Sequence, residues 1–209
     1  MAKLANAKNQ RAAKTARERR KKLMLLASAA AVAAVAVLIV LGSALRGGDE
    51  TEVADTAAQR EGRVLGSPTA PVVVTAWEDF QCPVCKAANQ SVIASLIKDY
   101  VETGKVRLEY RNFAFLGEES ARAAEAAECS AEQGKFWEYH DVLFSRQSGE
   151  NRGAFNKDRL KGFAQEAGLD AGAFSTCFDS GRYKSAIEDE RKEGQEVGVQ
   201  GTPTLFIDG

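Results

Sequence analysis

Two cysteines separated by Pro-Val, in Phe80-Gln81-Cys82-Pro83-Val84-Cys85-Lys86, can cycle between a dithiol and a disulfide. For that chemistry one thiol must ionise readily, and position supplies the means. The run Pro71-Val72-Val73-Val74-Thr75-Ala76-Trp77 before the cysteines is β-branched and aromatic and reads as a buried strand. After them, Ala88, Val92, Leu96 and Tyr100 recur four apart with Ile93 and Ile97 beside them, which predicts one face of a helix over Lys86–Tyr100. Cys82 then stands at the start of a helix, where unpaired N–H groups and the positive end of the dipole favour a thiolate. Pro83 suits the first turn, which needs no N–H from it. Three plainer readings compete: half of a zinc site, a passive structural disulfide, or chance spacing. No second C-x-x-C or His-rich cluster completes a zinc site. The strand–turn–helix context favours a redox pair.

The elements around the pair follow from pattern. Glu102-Thr103-Gly104 ends the helix with Gly at a plausible cap. Val106–Phe113 alternates apolar and polar residues, a second strand. Strand, helix, strand is a βαβ unit, so the two strands should be parallel. Five helical stretches are expected next, over Glu118–Gln133, Lys135–Phe144, Lys157–Ala167, Ala171–Phe178 and Tyr183–Val197, punctuated by glycines. About eighty mostly helical residues between strands, 117–197, make an inserted subdomain rather than a simple crossover. Thr204–Ile207 is the next strand.

The N-terminal quarter points to a membrane. Residues 1–22 hold nine Lys/Arg and one Glu, net +8, and the remainder holds 19 basic and 28 acidic residues, net −9. The tail reads as charge that sets membrane orientation, with nucleic-acid binding the lesser alternative. Leu23–Leu45 follows without one charge. As a helix it would span about 35 Å, enough to cross a bilayer. A cleaved secretory signal is the rival, but its apolar region is shorter, about 7–15 residues, and no A-x-A site follows. The positive-inside rule puts residues 1–22 in the cytoplasm and the chain beyond about 46 outside, where disulfides persist. Residues 46–62 read as a linker and 63–209 as the folded domain.

The residues Leu65-Gly66-Ser67-Pro68-Thr69-Ala70-Pro71, Glu78-Asp79-Phe80-Gln81-Cys82-Pro83-Val84-Cys85 and Gly198-Val199-Gln200-Gly201-Thr202-Pro203-Thr204-Leu205-Phe206 resemble a DsbA-like thiol–disulfide oxidoreductase of the membrane-anchored bacterial branch. The resemblance covers about residues 62–209. It implies an α/β thioredoxin fold with a helical insert, preceded here by the transmembrane helix. It implies Cys82 as the exposed nucleophile and Cys85 as the resolving thiol. Thr202-Pro203 becomes the cis-proline loop that faces the cysteines and pairs with substrate backbone. Pro83 and Val84 tune the potential; Val stands where the strongly oxidising relative has His, which implies a weaker oxidant. Ala76 occupies the place, six before Cys82, of a buried acid in related folds. Glu78 or Asp79 is the candidate to take over its proton transfer, the plainer reading being that they cap the turn.

Cys129 and Cys177 are expected to form a structural disulfide between two helices, a second redox relay being the alternative. His140, the single histidine, is expected on a helix surface, and Phe136 and Trp137 in the core. No metal or cofactor is expected. Asp208-Gly209 is a hairpin signal, and the family continues with a strand and a helix, so the chain reads as ending before them, with Thr204–Ile207 as a sheet edge. The expected activity is oxidation of reduced exported proteins, with reoxidation by a quinone-linked membrane protein implied by the family. A reductase or isomerase is the alternative, supported by Thr before the cis-proline. A non-catalytic partner-binding module is the third reading.

Overall fold

The computed structural model describes residues 60–208. The tail 1–22 and the expected span 23–45 lie outside the described residues, among which no helix is long and apolar enough to cross a membrane. Five strands form one sheet: β1 (Arg60–Glu61), β2 (Val64–Leu65), β3 (Val72–Glu78), β4 (Val106–Asn112) and β5 (Thr204–Ile207), in the order β1-β2-β4-β3-β5. β3 and β4 are parallel over seven registered pairs, from Val72 opposite Val106 to Glu78 opposite Asn112. β5 runs antiparallel to β3 at the sheet's edge. The hairpin β1–β2 extends the other side, and β1 falls in the stretch read as linker. Alternation could not announce two strands of two residues each.

The connection from β3 to β4 is not the continuous helix expected. It is α1 (Pro83–Asn89), α2 (Val92–Leu96) and a π-helical turn, Ile97–Val101. Ser91 at the junction takes φ −131 and ψ −87, outside the helical region, and its hydroxyl donates to the Ala87 carbonyl. The break shifts the phase of the apolar face. Ile93 and Val101 are buried, while Val92 and Tyr100, assigned to the core face by spacing, are exposed.

The helical insert is α3 (Glu118–Ala131), α4 (Phe136–Arg146), α5 (Lys157–Glu166), α6 (Ala171–Ser180) and α7 (Lys184–Glu196). Asn156 and Asp170 cap α5 and α6 by accepting from the N–H groups of Arg159 and Ala173. Cys129 on α3 and Cys177 on α6 form the disulfide, with Cα atoms 5.8 Å apart. Two clusters make the core. The larger joins Val74, Ala76, Leu108 and Tyr110 of the sheet to the insert's aromatic residues. The smaller holds Trp77, Phe113 and Val199, with Phe206 against it. Gly194 of α7 lies on this second cluster. A Cβ there would stand 2.7 Å from the Phe113 ring, so only glycine allows that approach.

An ion-pair network ties the insert to the sheet. Glu190 of α7 receives Arg63 at 2.7 Å and Arg111 at 2.6 Å, and Asn112 of β4 donates to both Glu190 and Glu128. Arg111 also lies over the Trp77 ring, 4.6 Å from its centroid. Phe136 and Trp137 are buried as expected, but so is His140. Phe136, His140, Leu143 and Phe144 share one stripe of α4, which carries the imidazole into contact with Phe80, Tyr110 and Trp137. Its Nδ1 reaches outward to Asp141 at 2.9 Å.

Candidate active site

The site is built where β3 ends and α1 begins. Cys82 is the N-cap of α1, with φ −71 and ψ 116, and Pro83 opens the helix. The Cys82 Sγ accepts the Cys85 backbone N–H at 3.3 Å, and the Thr202 carbonyl lies 3.3 Å from the same sulfur. The Thr202–Pro203 bond is cis, and the loop faces the cysteine pair. Cys82, Cys85, Thr202 and Pro203, expected together, are brought together. Both thiols are free. Cys82 is 6% exposed and Cys85 fully buried, so the first cysteine is the more accessible yet nearly covered. Val84, between them, is exposed.

The two thiols are electrostatically unequal. A hydrogen bond from the Cys85 thiol holds the Cys82 thiol down at about 6; burial opposes this, and the Thr202 side chain and the N–H groups of Cys85 and Val84 assist. The same bond, burial and the nearby Glu78 push Cys85 far upward. Cys82 is therefore a thiolate at neutral pH while Cys85 keeps its proton.

The two acids before the turn separate. Asp79 is a clamp: its carboxylate accepts from the N–H groups of Gln81, Phe115 and Leu116 and from Ser120 Oγ. It is fully committed to tying the turn to the segment after β4, which is the capping role. Glu78 is different. It is as buried as Asp79, each 1% exposed, but its carboxyl has one partner among the described residues, Asn89 Nδ2 at 2.6 Å; the same amide nitrogen donates to the Cys85 carbonyl at 3.0 Å. Burial raises the Glu78 carboxyl to about 8, which keeps it protonated at neutral pH. Glu78 lies on the strand face of Ala76, two residues nearer the turn, and so supplies an acid beneath the cysteines where Ala76 cannot.

Sequence reasoning missed the polar residues that hold the turn from the insert side. Gln147, just past α4, donates from Nε2 to the carbonyls of Phe80 at 2.6 Å and Cys82 at 3.0 Å. Lys86 donates to the carbonyls of Ser145 and Gln147. Gln81 reaches Ser120 and Asn151, and its Oε1 accepts the Asn151 N–H. Their sequence separations reach 70 residues, and no local pattern encodes them. The Cys129–Cys177 bridge is not part of this site. Among the described residues no group of three or more His, Cys, Asp and Glu could hold a metal ion.

Comparison with known proteins agrees with this geometry. A family model described as thioredoxin matches residues 58–209. The probable disulfide bond formation protein D of Bacillus cereus is 30% identical over 149 residues, spanning 69% of this chain and 69% of that one. Disulfide bond formation protein D of Bacillus subtilis is 28% identical over 147 residues, spanning 69% of this chain and 66% of that one. The crystal structure of oxidised BdbD from Bacillus subtilis superposes with a TM-score of 0.66 at 27% identity, covering 71% of this chain and 82% of that one.

Proposed function

The chain belongs to the thioredoxin family as a DsbA-like thiol–disulfide oxidoreductase, and from that premise we propose that it oxidises cysteine pairs in exported proteins. The observation that carries this reading is the stabilised Cys82 thiolate. Groups that hold a thiolate stabilise the dithiol form, so the disulfide form becomes the stronger oxidant.

In the proposed cycle a substrate thiolate attacks Cys82 Sγ of the Cys82–Cys85 disulfide, and Cys85 leaves with the electron pair. Glu78, protonated at neutral pH, gives Cys85 a proton. A second substrate thiolate attacks the substrate sulfur of the mixed disulfide and releases Cys82 as thiolate. Substrate leaves oxidised by two electrons and the enzyme reduced by two. The cis Thr202–Pro203 loop, against Cys82, is placed to align the substrate backbone, and Pro83 and Val84 set the potential.

Anchoring by residues 23–45 with the domain outside belongs to the same proposal and rests on the charge pattern of the sequence; reoxidation by a quinone-linked membrane partner belongs to it too and rests on the family resemblance alone. Reductase or isomerase action is the second reading, favoured by Val84 in place of a thiolate-stabilising His and by Thr before the cis-proline. The equilibrium with glutathione separates the two. A potential near about −120 mV supports oxidation, and one near about −180 mV or about −270 mV supports isomerisation or reduction respectively.

A further inference from the structure

A buried carboxyl that gives up a proton must place the charge it gains against a donor. For Glu78 that donor, among the described residues, is Asn89 Nδ2 at 2.6 Å. Asn89 is the last residue of α1, and the same nitrogen lies 3.0 Å from the Cys85 carbonyl, four residues back along the helix. A side chain that only closed the helix would need the second bond alone. The first crosses from α1 to the end of β3.

The two bonds fix the orientation of the amide. A backbone carbonyl only accepts, so the Asn89 atom facing Cys85 is the nitrogen, and its other hydrogen points to Glu78 Oε2. With an N–H on Oε2, the proton of the neutral carboxyl falls on Oε1. The acid is thereby tied to the backbone of the cysteine it serves. Burial raises the Glu78 carboxyl, and the Asn89 bond opposes that rise.

We propose that Asn89 is the positioning residue for protonation of Cys85: it sets the Glu78 proton on Oε1 and holds the carboxylate once that proton has left. The inference rests on the reading of Glu78 as proton donor. As a substrate thiolate attacks Cys82 Sγ, the Cys82–Cys85 bond breaks and its electron pair goes to Cys85 Sγ. The proton passes from Glu78 Oε1 to that sulfur, and the charge left on Glu78 is shared with the oxygen that Asn89 already holds.

The test is Asn89→Leu in the full chain, with Asn89→Ala, which suits a helix, as a second variant should Leu crowd the site. The carboxyl carbon shift of Glu78 is followed against pH in the oxidised protein. The other titratable groups facing Glu78 are Cys82, Cys85 and Tyr110; the disulfide silences the first two, and burial keeps Tyr110 well above its ordinary value. The Glu78 titration should move up by about one pH unit or more, and oxidation of a dithiol peptide at pH 7 should slow about tenfold. In a Glu78→Gln background the Asn89 change should slow the reaction no further, because it acts through Glu78. The proposal is overturned if Glu78 titrates as in the parent protein, if the rate is unchanged, or if the Asn89 change slows Glu78→Gln as much as it slows the parent. Glu78→Gln alone separates the two claims: an unchanged rate there overturns the donor reading and this inference with it, whereas a slowed Glu78→Gln beside an unaffected Asn89→Leu overturns this inference alone.

Discussion

Replacing Glu78 by Gln should stabilise the protein and slow its chemistry. The Glu78 carboxyl stands at about 8 in the fold because burial disfavours its charge, against 4.5 for an ordinary glutamate carboxyl. Below pH 4.5 it is protonated in both the folded and unfolded states, and stability is unaffected. Between 4.5 and about 8 the unfolded chain releases the proton while the folded chain keeps it, so stability falls as pH rises. Above about 8 both are ionised and the loss is complete. At about 1.36 kcal/mol per unit, the loss is ~3 kcal/mol at pH 7 and ~5 kcal/mol above pH 8. Gln carries no charge and keeps an oxygen for Asn89 Nδ2, which stands 2.6 Å from Glu78 Oε2. Glu78→Gln should therefore gain about 2–3 kcal/mol at pH 7, under about 1 kcal/mol at pH 5, and more at pH 9. Urea unfolding of the reduced protein at those three pH values reads the difference directly. Oxidation of a dithiol peptide by the same variant should slow by about 10²-fold, because Cys85 has lost its proton donor. A variant less stable than its parent, or a gain equal at every pH, refutes the assignment of a buried protonated carboxyl.

Three further outcomes follow from the geometry. Cys85→Ser should accumulate mixed disulfides with substrate through Cys82, visible on a non-reducing gel and removed by a thiol reagent, whereas Cys82→Ser should accumulate almost none. Cys129→Ala/Cys177→Ala should lose up to ~4 kcal/mol in urea unfolding, the loop-entropy value for a separation of 48 residues, with the alkylation rate of Cys82 nearly unchanged. Gln147→Ala leaves the Phe80 carbonyl without that donor, so it should cost about 1–3 kcal/mol and raise the alkylation rate of Cys82 by loosening the turn.

The sequence carried the redox centre because its signals are local. An apolar strand and a C-P-x-C turn each occupy a few consecutive residues and stand in the structure where their pattern placed them, and the cis Thr202–Pro203 loop stands where the family resemblance placed it. The five insert helices were legible for the same reason, glycines marking their ends. What failed is what depends on packing. Nothing in the composition around Ser91 breaks a helix, so the phase shift that exposes Val92 and buries Val101 was hidden. His140 falls on the stripe of Phe136 and Phe144, a spacing that would have buried it had its polarity not been given more weight. Glu78 and Asp79 are adjacent, chemically alike and equally buried, and only the strand's pleat, by setting which donors each reaches, separates an acid with one partner from a loop clamp. Gln147 belongs to a loop 65 residues from Cys82, a contact that no periodicity reports.

The central claim is that Cys82 is the ionised nucleophile and Cys85 its protonated partner. Alkylating the reduced protein with iodoacetamide from pH 4 to 10, with the labelled residue identified by peptide mass, tests it most directly. The structure predicts label on Cys82 alone at neutral pH, with a rate that rises through an apparent pKa of about 6. Label on Cys85 first, or a Cys82 rate that rises only near the free-thiol value of about 8.5, would contradict it.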